Sequence, residues 1–464
     1  MATTTTVQEL KTFLETPRPE SQNGHTAVSL FSGAGLSDTG YELAGFRFIV
    51  QAELEPFRSH LGKFNFPHSH WVVGDIRNKA KEIVAAYKQA TPRTLDLLVA
   101  TPPCQGMSTS NPSRGKRQTP EAALLEAKNG LILAIVPVVR ELNPRLIVSE
   151  NVRQILTLEV ARDGKHKRVI DILQQELPEY QFFFGVVNIA DYGIPQDRRR
   201  SVTVGIRRDE PWLQSLVCAR RQPWPAPGHT EEPSQNQLPW NTVRQWFEYM
   251  NYEVLDAENK ARAKGDHPLH FVPVYDMDRY LLVRDIPPFS GQSAYENVKC
   301  PDCGQDPVVK GLAICPTCGH AMTNRPIVIE DGVARLIKGF LSSYRRMAPD
   351  LPAPTVTTNS SHIGSDFKIH PWEHRVLSIL EATDLQTVPR WYDWSYALKT
   401  RHQYTIRQVT GEAFPPYFTY QHGRVLDRLL SCLETNYDEL APVAGPGLGH
   451  RKAKKKPTIT SVAP

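Results

Sequence analysis

The chain has 464 residues, of which 40% are hydrophobic and 22% charged, an ordinary balance for a folded globular protein. That length exceeds what one hydrophobic core usually supports, so two domains are expected, and no apolar run approaches the roughly 18 residues of a membrane span. A formal net charge of +5 permits a polyanionic partner without identifying one.

Residues 1–25 are polar and Thr-rich, without the charged start and apolar stretch of a secretion signal, and are expected to be disordered. From Thr26 to Ile206 short β-branched runs alternate with helix-like stretches, the pattern of an α/β domain with a largely parallel, Rossmann-like sheet. Seven strands are expected, over 27–32, 46–53, 70–75, 96–101, 145–151, 181–188 and 201–206. Ligands of such sheets bind beyond the carboxyl ends of the strands.

The first expected strand runs into the glycine-rich turn Phe31–Gly40, which lets a ligand approach bare backbone. Alone this is an ordinary strand-to-helix turn. Glu53 adds weight, because an acid about 20 residues on can accept hydrogen bonds from both ribose hydroxyls of an adenosine group. Asp75, beside Ile76, suits an amino-group donor such as the adenine N6. In DLLVATPPCQGMS, Cys104 follows a strand and two prolines that stiffen its loop. A lone cysteine of this kind is usually an inert, buried one. Here Glu150, Asn151 and Val152 end another strand, and Gln196, Arg198 and Arg200 precede the last. Arg198 and Arg200 alternate on extended backbone and so share a side.

With these residues in order, the chain resembles the cytosine-5 DNA methyltransferase family across roughly residues 28 to 430. The resemblance covers Phe31–Gly40, Glu53, Asp75, Pro103–Gln105, Glu150–Val152, Asn188–Arg200, His374–Pro389 and Thr410–Pro416. It departs in the last motif, where Glu412 stands after Gly411 in place of the family's usual Asn. The resemblance implies S-adenosylmethionine as methyl donor, held by Phe31, Ser32, Gly33, Gly35, Leu36, Glu53, Leu54, Asp75, Ile76 and Pro102. It also implies a catalytic set of Cys104, Glu150, Arg198 and Arg200. Cys104 would attack carbon 6 of cytosine, converting the ring to an enamine, while Glu150 supports ring N3. The target carbon is buried in stacked duplex, so the base must flip out, and Met107–Lys128 suits a closing lid. Methylation of transfer RNA on the same fold and a noncatalytic DNA-binding regulator are the competing readings. The large region after the paired arginines and the presence of both Cys104 and Glu150 argue against them.

After Arg208 the texture becomes Pro-, Trp- and charge-rich, and a target-recognition domain is expected over 209–398. Within it, CPDCGQDPVVKGLAICPTCGH repeats a knuckle whose cysteines, Cys300, Cys303, Cys315 and Cys318, have the spacing of a structural zinc ribbon, placed over 298–320. Four thiolates leave no ligand position for water, and His320 is a bystander. Trp240, Arg244, Trp246, Tyr249 and Tyr252 mix aromatics with a basic residue, but such spacing more often marks core. Residues 399–440 return to helical periodicity and are expected to complete the catalytic domain of 26–208, followed by a basic, disordered tail over 441–464. The expected partner is double-stranded DNA. A cytoplasmic, monomeric enzyme of a restriction-modification system follows from the resemblance, with a cognate endonuclease that it need not touch.

Overall fold

The computed structural model describes residues 5–19, 24–103, 130–162, 165–233, 236–339, 342–365, 367–400, 403–433 and 435–443. Cys104, Gln105, the expected lid Met107–Lys128 and most of the basic tail lie outside the described residues.

A seven-stranded mixed sheet organises the chain. Its strands are β1 (Thr26–Leu30), β2 (Arg47–Glu53), β3 (His70–Val73), β4 (Leu97–Ala100), β5 (Leu146–Asn151), β6 (Tyr180–Asn188) and β7 (Arg199–Arg207). They lie in the order β3-β2-β1-β4-β5-β7-β6. The first five are parallel, and β7 runs antiparallel to both neighbours. All seven expected strands are present within a residue or two of their expected ends. The parallel strands read as continuous apolar runs because both faces are covered. On β4, Leu97 and Val99 enter one core while Leu98 and Ala100 enter the other, the period-2 alternation of a strand between two layers.

One layer holds α1 (Val7–Glu15) and the short α2 (Asp38–Leu43). The other face carries α4 (Ile76–Ala90), α5 (Val136–Leu142) and α6 (Val169–Glu176), with α3 (Pro56–Asn65) joining β2 to β3. The helix at Val7–Glu15 departs from the expectation of disorder over residues 1–25. Thr6 and Glu9 form a reciprocal capping box, and Leu10, Phe13 and Leu14 are buried at helical spacing.

Beyond β7 the chain adds α7 (Val243–Met250), α8 (Ile379–Leu385), α9 (Gln403–Glu412) and α10 (Pro416–Leu430). α10 packs on α2 so closely that a Cβ on Gly40 would lie 2.1 Å from both Pro416 O and Thr419 Oγ1. Residues after Arg208 also feed the main core: Trp224, Trp246 and Met347 are buried with the sheet residues Val99 and Val148. The segment Ala353–Pro354 pairs with Gln196–Asp197 beside the paired arginines. Among the described residues, no helix is long and apolar enough to cross a membrane.

Candidate active site and metal centre

The glycine-rich turn stands at the carboxyl end of β1 and doubles back: Ser32 N donates to Ala52 O and Gly35 N to Ser32 O. Phe31, Gly33 and Gly35 all have positive φ, which glycine adopts without strain and Phe31 does not. A Cβ on Gly33 would meet nothing within 4 Å, so the backbone there borders open space. Glu53, at the end of β2, is buried. Its Oε2 accepts from Gly33 N at 2.9 Å and its Oε1 from Glu55 N at 3.0 Å. Burial pushes its carboxyl above the usual range, while those amides and the nearby Arg58 hold it down. Each carboxylate oxygen has two lone pairs, so one acceptor position per oxygen remains after the backbone bonds.

Leu36 and Ile76 are buried, whereas Leu54 is exposed at its surface position after Glu53. Asp75 has a local task that the sequence reading missed. It is the N-cap of α4, accepting from Arg77 N at 2.9 Å. Its side-chain pairing with Arg77 lowers its pKa.

Across β4, Thr101 Oγ1 donates to Phe31 O at 3.0 Å, joining the turn to the segment that leads to Pro102 and Pro103. Pro102 O in turn accepts from Asn151 Nδ2 at 3.1 Å. The residue before Asn151 is Glu150, whose side chain the register sets against β7. Glu150 pairs with Val202, so Arg200 is its diagonal neighbour on the same face. Arg200 Nε lies 3.0 Å from Glu150 Oε1, an ion pair with only a small fraction of either side chain exposed. The contact lacks hydrogen-bond alignment, so Oε1 has no hydrogen-bond partner among the described residues. Burial raises the pKa of Glu150, opposed by Arg200 and Arg198.

Arg198 lies within electrostatic reach of Glu150, but its guanidinium is engaged elsewhere. Nη1 donates to Val356 O at 3.1 Å, and Nη2 to Gly411 O at 3.1 Å and Glu412 O at 3.3 Å. The structure thus brings Glu150, Arg200 and Arg198 together at the strand ends, with Pro102 tethered beside them. Behind Glu150 a small cavity is lined by Ser37, Tyr41, Thr101, Phe414, Thr419 and His422. Tyr41 OH and His422 Nδ1 are 3.0 Å apart, and His422 Nε2 is 3.0 Å from Pro223 O. Burial lowers His422 to about 4, so it stays neutral, donating from Nε2 and accepting from Tyr41.

The four knuckle cysteines form a separate cluster. Their sulfurs all lie within 4.8 Å of one another. Cys300 Sγ to Cys318 Sγ and Cys303 Sγ to Cys315 Sγ are each 3.8 Å. The two knuckles repeat the same backbone: Gly304 N donates to Cys300 O as Gly319 N does to Cys315 O. Both glycines have positive φ, near 75°, which accounts for the repeated CG. Sequence reasoning missed Arg325, buried just after the second knuckle. Its guanidinium donates to the carbonyls of Asn297, Val308, Val309 and Leu312, closing the loop between the knuckles. His320 faces Asp302, with Nδ1 2.9 Å from Oδ2.

Comparison with known proteins gives this assembly a family. A model of C-5 cytosine-specific DNA methylases matches residues 25–426. The chain belongs to that family. It is a DNA (cytosine-5-)-methyltransferase. Among its relatives, the Type II methyltransferase M1.HgaI of Avibacterium volantium is 28% identical over 84% of this chain and 94% of its own length. The Type II methyltransferase M.XorII of Xanthomonas oryzae is 26% identical over 84% of this chain and 81% of its own. Among solved structures, the Entamoeba histolytica methyltransferase EhMeth covers 88% of this chain and 98% of its own at 13% identity, with a TM-score of 0.47.

Proposed function

We propose that this methyltransferase modifies carbon 5 of a flipped cytosine in duplex DNA through a covalent adduct with Cys104, and that it serves a type II restriction-modification system. The observation that carries the site assignment is the strand-end junction. Asn151 holds Pro102, two residues before Cys104 in sequence, while its neighbour Glu150 is paired with Arg200. Those contacts support reading the segment that leads to Cys104 and the Glu150 carboxyl as parts of one site. The system assignment rests on relatives that are themselves Type II methyltransferases.

In this reading the thiolate of Cys104 adds to carbon 6, and Glu150 holds a proton at ring N3 as charge develops there. The raised proton affinity of a buried carboxyl suits that task. Arg200 orients Glu150. Arg198 acts through the backbone, binding the segments at Val356 and Gly411–Glu412 to the strand end. Bound S-adenosylmethionine supplies an electrophilic methyl group. Carbon 5 would take that methyl as its bond to sulfur breaks, leaving S-adenosylhomocysteine, then lose its proton to a base or water, and elimination would release Cys104 as thiolate.

The residues fit that donor. Gly33 borders open space, and the remaining acceptor positions of Glu53 match two vicinal ribose hydroxyls. Phe31, Ser32, Gly35, Leu36, Leu54, Asp75, Ile76 and Pro102 would complete the site. The cysteines fit Zn²⁺ as well, since four thiolates about 2.3 Å from a tetrahedral ion lie about 3.8 Å apart. Such an ion would be structural, stiffening a target-recognition region over 209–398. The enzyme is read as a cytoplasmic monomer, with a cognate endonuclease acting on the same DNA site.

The test is to incubate the enzyme with methyl-labelled S-adenosylmethionine and DNA or transfer RNA, then map the modified base. Label at cytosine carbon 5 of DNA, covalent trapping on 5-fluorocytosine DNA, and loss of both in Cys104→Ala are expected. Label only on transfer RNA, or full turnover by Cys104→Ala, refutes the reading.

A further inference from the structure

Glu412 departs from the family's motif, and the structure gives it a specific neighbour. It ends α9, and its carboxylate meets Arg58 of α3 in a two-pronged pair: Nη1 to Oε2 at 2.7 Å and Nη2 to Oε1 at 3.2 Å. Arg58 lies five residues beyond Glu53, in the first turn of α3. It is close enough to lower the proton affinity of Glu53, as Glu412 is close enough to raise it. Yet the guanidinium bonds to Glu412 and not to Glu53, whose oxygens accept, among the described residues, only the amides of Gly33 and Glu55. The pair is anchored from behind, because Arg198 donates to the carbonyls of Gly411 and Glu412.

We propose that Glu412 is a positioning residue that captures Arg58 and so keeps the Glu53 carboxylate open to its nucleoside ligand. An arginine fork matches a carboxylate in two bonds. Without Glu412, Glu53 is a buried carboxylate already within electrostatic reach of Arg58. Its remaining acceptor positions would then be filled by guanidinium, and ribose hydroxyls would have to displace an ion pair. Arg58 is thus an intrinsic competitor, and Glu412 is the group that removes it. The proposal rests on the reading of Glu53 as the ribose acid.

The test is calorimetric binding of S-adenosylhomocysteine to the full chain, with thermal unfolding as the fold control. Glu412→Gln is expected to weaken binding about tenfold, the loss of roughly one charge-assisted hydrogen bond to the ligand. Arg58→Gln in the same chain is expected to restore affinity to within about threefold, because the competitor is gone. Glu412→Ala, which favours the helix end, is the second single variant and should behave as Glu412→Gln does. Native affinity in both single variants overturns the proposal. So does a double variant as weak as the single, since Arg58 would then be needed for binding. Glu53→Gln separates the two claims. If it binds as the native chain does, the ribose assignment itself fails. If Glu53→Gln is impaired while Glu412→Gln is not, only the role of Glu412 fails.

Discussion

Asp38 should make the stability of this enzyme fall as pH rises through neutrality. It opens α2 behind the glycine-rich turn, 2% exposed, with Ser29 Oγ donating to Oδ1 at 3.1 Å and Gln51 Nε2 to Oδ2 at 2.8 Å. Those two bonds do not offset burial, which raises the carboxyl from 3.8 to about 7. The folded-state pKa therefore lies above the unfolded one. Stability from the protonated form is complete below pH about 4 and is lost as pH climbs through about 7. A shift of about 3 units at 1.36 kcal/mol each gives a total loss of about 4 kcal/mol, of which about 3 kcal/mol falls between pH 5 and 8. Gln51 Oε1 is buried without a hydrogen-bond partner among the described residues. A flipped Gln51 amide would let it accept the proton of neutral Asp38. The assay is urea unfolding of the native chain and Asp38→Asn at intervals from pH 5 to 8. The Asn variant should gain about 3 kcal/mol on the native chain across that range. Parallel stability profiles, or a native chain that gains on the variant as pH rises, would refute the reasoning.

Gly40→Ala should lower stability by about 3 kcal/mol or more, because its Cβ has no room between α2 and α10. An unchanged urea midpoint would show that the two helices part without cost. Arg200→Gln removes the cation paired with Glu150, so the Glu150 pKa should rise further. The alkaline limb of the kcat profile should move to higher pH while kcat drops roughly 100-fold, and an unmoved limb would disconnect Arg200 from the proton at Glu150. Thiol modification in the presence of a metallochromic dye should release about one zinc per chain. Cys303→Ser should lower that yield and the melting temperature, whereas a metal-free native chain would refute the zinc assignment.

The parallel strands were legible because each is a short β-branched run ended by a turn, and such runs need no knowledge of their neighbours. The places of Glu53 and Glu150 at strand ends were legible for the same reason. What sequence could not show is which side chains spend their charge on the fold. Arg346, next to Arg345 in sequence, is fully buried and donates to the carbonyls of Val283, Ile286 and His370. Trp246 belongs to the main core, as the aromatic spacing suggested, while Trp240 Nε1 donates to Asp191. α1 had a readable signal, the Thr6-x-x-Glu9 box ahead of Leu10, Phe13 and Leu14, masked by the polar Thr-rich start.

Arg198 shows why the remainder was hidden. Its three carbonyl partners come from residues 158, 213 and 214 positions away, and no local pattern encodes such pairings. A buried guanidinium whose two terminal nitrogens donate to main-chain oxygens is costly to remove, since each carbonyl would lose its donor in a place water does not reach. The same side chain sits in the electrostatic field of Glu150 and grips the backbone of Glu412, whose carboxylate holds Arg58 near Glu53. Glu150 and Glu53 are therefore tied to one short stretch, Gly411–Glu412. That explains how a motif near the end of the chain, far from both strands in sequence, belongs to the site built at their ends.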